Sequence, residues 1–362
     1  MPADELTLRQ LNRATLARQL LLARAARIGP VDAVERLGGL QAQEARPPFV
    51  ALWTRVEHFR REQLDRALQA RTIVRATMMR ATLHLMSAVD YEALRPALQP
   101  VLTAAMESIL RRRGAVPVDE VVTAAGRRLA RRPLTFNELR PRLAEAFPDA
   151  DERALGYAVR MRLPLVMVPG EDRWSFPSDP AFTPAAAWIG RPLRGGDPAA
   201  LVRRHLEAFG PATAADIQAW SGLSGIKDVL ERMRDELAVF SFGRRRLFDL
   251  PDAPRPDADT PAPPRLLPEF DSLLLAHADR TRVIDDAHRK ALVTKNLRVK
   301  ATFLVDGFVA GSWAVRSSSD TLTLTVSPFA PLAKGAAEEL AAEAESLLGF
   351  LDEAATPRVE FA

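Results

Sequence analysis

The sequence predicts an α+β protein: three winged helix-turn-helix modules in tandem, followed by a β-rich, barrel-like domain. A helix, helix, hairpin order recurs through the middle of the chain, and two of its copies open on a capping box. Proline and acids then crowd residues 249–264, where bulky apolar residues almost vanish. Beyond that stretch apolar residues alternate as in strands, with Asp306-Gly307 between two such runs. The 362 residues suffice for two or three cores, here divided into modules at 1–115, 116–192 and 193–250 and a β-rich domain at 265–362.

In order along the chain, leucines at helical offsets such as Leu16 and Leu20 predict a helix from Leu6 to about Leu22, and a second helix spans Val31 to Leu40. Gly38-Gly39 ends or loosens it. Residues two apart in an extended segment point the same way, so Gln41 and Gln43 aim both amides at one place while Ala42 faces the interior. Pro47-Pro48 stiffens the exit and biases Arg46 away from helix. From Thr72 to Met86 the alternation of Thr82, His84 and Met86 with Leu83 and Leu85 predicts the strands of a wing. Val89 to about Arg112 returns to helix, closed by cations and Gly114.

Thr135 with Glu138 and Thr213 with Asp216 form the two capping boxes. In the first repeat the second helix runs from about Asp151 to Met161, with Arg153, Arg160 and Arg162 available, and the hairpin spans Leu165 to Phe176. In the second repeat the helix spans about Gly225 to Leu237, and the hairpin, Val239 to Leu250, carries Arg244, Arg245 and Arg246 at its tip. Strands are expected at Leu266–Leu275, Lys300–Val305, Phe308–Val315 and Thr321–Val326, with a two-residue type I′ turn at Asp306-Gly307. A final Ala-, Glu- and Leu-rich helix from about Lys334 to Glu353 completes a domain expected to pack on the third module.

With 47% apolar and 27% charged residues the composition is that of an ordinary globular protein, so disorder is not the default. No apolar run is long enough for a bilayer and the N-terminus lacks the core of a signal peptide, so a cytoplasmic protein without a membrane partner is expected. The absence of cysteine rules out disulfides and thiolate zinc sites, and five scattered histidines show no ligand spacing, so neither metal nor cofactor is expected. Only five of the 50 basic residues are lysine, and net charge is +4. Arginine suits phosphate contacts, but an Arg- and Ala-rich chain is also what a GC-rich genome encodes, so the charge permits DNA binding without requiring it.

Three strings in order are specific: Gly38-Gly39-Leu40-Gln41-Ala42-Gln43, then Leu52-Trp53-Thr54-Arg55, then Val74 through Leu85. Together they closely resemble the AlkZ-like winged-helix DNA glycosylases, in the branch that carries Gln-x-Gln where a sister branch carries Gln-x-Asp. The resemblance runs from Leu6 to the C-terminal helix. It implies a monofunctional DNA glycosylase with catalytic Gln41 and Gln43, acting on double-stranded DNA that holds alkylated or crosslinked purines, in repair or in self-resistance to an alkylating antibiotic. It also implies an open, concave face that accepts a tethered base without full flipping.

Glutamine is neither acid nor base near neutral pH, but its amide can hold a water and hydrogen-bond to forming charge. That suffices for an N7-alkylguanine, whose cationic base departs neutral and needs no strong acid. Glu44 either acts as base or sugar-cation stabiliser or pairs with Arg46, the pairing being the simpler reading. Arg75, Arg80, Thr82 and His84 fall in the third string and are candidates for the same cleft, although a histidine between Leu83 and Leu85 also suits a core, as does Trp53. Two basic segments are candidates for gripping DNA or for solvated loops: Arg244-Arg245-Arg246, and the loop with His277, Arg280 and Arg282 followed by His288-Arg289-Lys290. Near the motif no lysine offers a Schiff base, so lyase chemistry is not expected. The competing reading is a non-enzymatic winged-helix regulator; three unlike modules in one chain favour a monomer, whereas regulators commonly dimerise.

Overall fold

A five-stranded sheet assembled from two separate parts of the chain carries the glutamine segment. The computed structural model describes residues 4–294 and 298–362. Strand β1 (Asp4–Glu5) leads into α1 (Leu8–Arg18), capped by reciprocal bonds between Thr7 and Gln10. Helix α2 (Pro30–Arg36) ends at Gly38 and Gly39, with φ of 69° and 86°. A Cβ on Gly39 would run into Sδ of Met86, so both conformation and space demand glycine there. Strand β2 (Leu40–Gln41) follows. Pro47 and Pro48 do not stiffen an extended exit; they open α3 (Pro47–Trp53), and Arg46 is helical at φ −69°, ψ −43°. Proline fits a first helical turn, where its missing N–H has no partner to lose.

After α4 (Arg61–Gln69), strands β3 (Ile73–Thr77) and β4 (Leu83–Ser87) form a hairpin around a tight turn at Met79–Ala81. The helical stretch read from Val89 is broken at Pro96 into α5 (Ala88–Leu94) and α6 (Gln99–Arg113). Next come α7 (Val118–Leu129), α8 (Phe136–Ala144), α9 (Glu152–Arg162), β5 (Leu165–Met167), β6 (Phe182–Pro184) and α10 (Ala185–Ile189). The return strand lies beyond the expected Leu165–Phe176 hairpin, because a turn between Gly170 and Ser175 lengthens the connection. Strand β5 pairs with β3, giving the sheet order β2-β4-β3-β5-β6.

The third stretch holds α11 (Pro198–Phe209), α12 (Ala214–Ser221), α13 (Ile226–Arg232), β7 (Ala238–Phe242) and β8 (Arg245–Asp249), with β1 added in parallel to β7. Both expected capping boxes are present. Residues 249–264 are not a free linker but a strap fastened along α1. Arg18 grips both oxygens of buried Asp249 at 2.7 and 2.8 Å, Arg13 Nε donates to Thr260 O at 2.7 Å, and Arg9 Nε to Ala258 O at 2.8 Å.

Strand β9 (Arg265–Leu267), α14 (Asp286–Arg289), β10 (Thr302–Val305), β11 (Phe308–Ser318), β12 (Thr321–Pro328), α15 (Lys334–Leu351) and β13 (Thr356–Phe361) complete the chain. The turn at Asp306-Gly307 has φ of 48° and 81°, both positive as type I′ requires. The terminal strand β13, absent from the sequence reading, pairs in parallel with β12 across the α15 crossover. The five strands are ordered β13-β12-β11-β10-β9, a ladder whose ends are not joined to one another among the described residues. This domain packs on the N-terminal part of the chain and, as expected, also on the third stretch: Phe350 lies 6.1 Å from Trp53 and 5.9 Å from Phe59, Leu16 and Leu21 share a core with Leu267, Leu304 and Val309, and Ala276 joins the core of Leu206, Phe209 and Trp220, its carbonyl accepting from His205 Nε2 at 3.0 Å.

The glutamine sheet is covered on both faces. Val74, Ala76, Met86 and Val166 meet Leu206, Phe209 and Trp220 on one face, while Leu83, Leu85, Leu165 and Met167 join the core built on α3, α4 and α7–α9 on the other. Among the described residues no helix is long and apolar enough to cross a membrane.

Candidate active site

Strand β2 lies at one edge of its sheet, with Leu40 opposite Leu85 and Gln41 opposite His84. The ladder continues one residue further, where Ala42 N donates to Leu83 O at 2.7 Å. Ala42 is fully buried, as the spacing anticipates, but the strand ends at Gln41: Gln41 is itself buried, and Gln43, in the bend that follows, is exposed.

Both amides are oriented by donors. Arg80 Nη2 donates to Oε1 of Gln41 at 2.8 Å, and Leu83 N donates to Oε1 of Gln43 at 3.3 Å. Because both partners are pure donors, the amide oxygens must face them and the NH₂ groups point away. Arg75 fastens the backbone beneath, its Nε donating to Ala42 O at 2.9 Å and Nη2 to Gln43 O at 3.2 Å, with its guanidinium over the Phe176 ring. Burial lowers the Arg75 pKa to about 10, opposed by the nearby Glu44 carboxylate.

Arg80 owes its reach to an unusual backbone. It sits in the left-handed region at φ 54°, ψ 21°, in the turn between β3 and β4. Its backbone packs against Gly222, and its Nη1 donates to the Trp220 carbonyl near the end of α12. One side chain therefore joins Gln41 to the C-terminal end of a helix that lies 140 residues beyond Arg80 in sequence. Burial, then the charge of Arg280, lowers its pKa to about 10. Thr82 Oγ1 closes the same turn by donating to Met79 O at 3.0 Å.

His84 is buried, and its Nδ1–H donates to Thr82 O at 3.1 Å. Burial and the charge of Arg80 push its pKa down to about 3, so the ring is neutral and Nε2 is a buried acceptor without a partner among the described residues. A proton donor it cannot be near neutral pH.

Glu44 does not pair with Arg46. Its carboxylate meets Arg298 at 2.7 Å, while Arg46 meets Glu269 at 3.0 Å. Arg298 and Glu269 were missed in the sequence, where more than 200 residues separate them from the motif and nothing signals the contact. Of the predicted polar loop, Arg280 comes near Arg80, but His277 and Arg282 are buried. His277 Nε2–H donates to Phe209 O at 3.1 Å and Arg282 Nη1 to Pro211 O at 2.8 Å, so both serve the interior and are withdrawn from any DNA surface. At the β7–β8 tip Arg244 lies in the exposed turn, Arg245 is paired with Asp279, and Arg246 lies over Phe248.

The family model described as DNA glycosylase AlkZ-like matches residues 34–350, which includes both glutamines, Arg75 and Arg80. An interstrand DNA cross-link repair glycosylase from Streptomyces sahachiroi is 27% identical over 322 residues, covering 82% of this chain and 84% of that protein. The solved structure of the Streptomyces sahachiroi DNA glycosylase AlkZ superposes with a TM-score of 0.81 at 23% identity, covering 99% of this chain and 100% of that one, and so shares its fold. With nearly the whole chain inside the family model, the protein belongs to the AlkZ-like DNA glycosylase family and is a hydrolase of N-glycosyl bonds.

Proposed function

We propose that this glycosylase hydrolyses the N-glycosidic bond of N7-alkylpurines in double-stranded DNA, interstrand crosslinks among them, through Gln41 and Gln43. The observation that carries the reading is the pair of amides on one rigid edge, each with its oxygen fixed by a donor and its NH₂ group directed away. Crosslink repair is in the name of the Streptomyces sahachiroi relative.

The amide oxygen of Gln41 has two lone pairs. Arg80 fills one, leaving the other to hold a hydrogen of the attacking water, while the NH₂ groups meet acceptors on sugar or base. The C1′–N9 pair leaves with the base and cancels the N7 charge; the water oxygen bonds C1′ and its proton departs. Glu44, one residue beyond Gln43 and held by Arg298, is placed by this reading to face the sugar cation or to take that proton. The product is an abasic site. In this reading 1–115, 116–192 and 193–250 are three winged helix-turn-helix modules and 265–362 the β-rich domain of a cytoplasmic monomer that works on the chromosome.

The test is release of N7-methylguanine from methylated duplex by the wild type and by Gln41→Ala/Gln43→Ala, with duplex binding measured in parallel. Excision by the wild type and binding without excision by the variant are expected. Equal excision by both removes the glutamines from the chemistry.

A further inference from the structure

At the opposite edge of the glutamine sheet, α8 and α9 enclose a notch of about 180 Å³ lined by Phe136, Arg140, Arg153, Gly156, Tyr157 and Arg160. Three guanidinium groups meet there and no carboxylate lines it. Arg153, Tyr157 and Arg160 lie along one face of α9 at offsets of four and three. Gly156, between them, lets the Arg140 side chain cross from α8.

Among the described residues neither Arg153 nor Arg160 has an ion pair, while most arginines elsewhere in this chain are partnered by carboxylates or carbonyls. Arg160 lies 4.5 Å over Phe136 and 5.3 Å over Phe182, so its planar face is satisfied and its N–H edge is free. Arg140 is braced by Asn137 Oδ1 at 2.6 Å and Phe136 O at 3.1 Å. Tyr157 is 37% exposed. Converging guanidiniums held by ring faces and backbone, with no anion among them, form a fork for a tetrahedral oxyanion.

We propose that this notch binds a backbone phosphate of the DNA and gives the enzyme a second grip, apart from the glutamines. Gln41 is on β2 and Phe182 on β6, four inter-strand steps of about 4.8 Å away, so the two grips are separated by roughly 19 Å. That spans about five to six base pairs. The inference rests on the glycosylase reading, since it takes duplex DNA as the ligand.

The chain has two tyrosines, Tyr91 fully buried and Tyr157 at the notch, so fluorotyrosine labelling gives one reporter and one internal reference in ¹⁹F NMR. Undamaged duplex is expected to move the Tyr157 resonance and leave that of Tyr91 in place, and inorganic phosphate at millimolar levels should do the same. The exposed Arg153→Gln change, alone and with Arg140→Gln/Arg160→Gln, should weaken duplex binding roughly 3- to 10-fold and reduce the slope of log K against log salt by about 1 to 2. Arg153 makes no contact whose loss would unfold the chain. Duplex binding, verified by anisotropy, that moves neither resonance and keeps its salt slope in the variants overturns the proposal. If duplex fails to bind while phosphate still moves Tyr157, the anion notch stands and the DNA reading falls; if neither ligand moves it, both fall.

Discussion

The guanidinium of Arg80 and the amide of Gln41 form one unit: the 2.8 Å bond fixes which end of the amide faces outward, and the Trp220 carbonyl fixes the guanidinium in turn. Removing Arg80 should therefore disorder the Gln41 amide without removing it. Arg80→Met is expected to slow single-turnover excision about 10- to 100-fold, the scale on which misplacement of a positioned group acts. Duplex affinity should change less than rate, and Arg80→Lys should recover part of the rate. Excision kinetics at saturating enzyme check this; a variant that loses affinity and keeps its rate would assign Arg80 to binding instead.

Gly39 is the joint between α2 and the glutamine strand. A methyl group there meets Met86 Sδ and the Leu85 carbonyl, and the residue holds φ of 86°. Gly39→Ala is expected to destabilise the fold by about 1–3 kcal/mol. Shortening Met86 in the same chain should recover only the steric part, because the backbone strain stays. Urea unfolding of the single and double variants separates the two.

Acid should weaken the fold before it protonates most carboxylates. Burial lowers the pKa of His84 to about 3 and of His205 to about 4, and holds His277 well below its ordinary value. Each takes a proton near pH ~6.5 only after unfolding, so the unfolded chain binds more protons below that pH. Stability then falls with falling pH by about 1.4 kcal/mol per unit for each fully neutral histidine. Asp65 and Asp90, both raised by burial, act in the opposite sense nearer the carboxylate range, which makes the interval just below pH ~6.5 the informative one. Urea midpoints measured from neutral pH down through it should decline; a flat profile contradicts the neutral buried rings.

What the sequence revealed was local. The boxes at Thr135 and Thr213 and the turn at Asp306-Gly307 are decided by neighbours three residues away or fewer, and they stand where expected. The inward-facing Ala42 follows from strand spacing, whereas the burial of Gln41 and the exposure of Gln43 do not. Hidden features were decided by distant partners. His277 and Arg282 carry the composition of a polar surface loop, yet Phe209 O and Pro211 O supply acceptors inside the fold. Strand β13 is exposed over much of its length and half-buried at Val359 and Glu360, so apolar alternation had little to mark it. Arg80 reaches Gln41 from a left-handed backbone, a conformation no residue pattern signals for arginine.

The strap along α1 bears on how a lesion is met. Asp249, Ala258 and Thr260 are tied to one helix that also shares a core with the C-terminal sheet, so the strap holds the first and third parts of the chain together. In the proposed reading, a DNA-binding face held by these ties leaves the work of accommodation to the duplex. Smooth bending of a site of 20–30 base pairs costs on the order of 1–6 kcal/mol, and steps already unstacked by damage cost least. In that reading, stiffness in the protein becomes a means of sensing softness in the DNA.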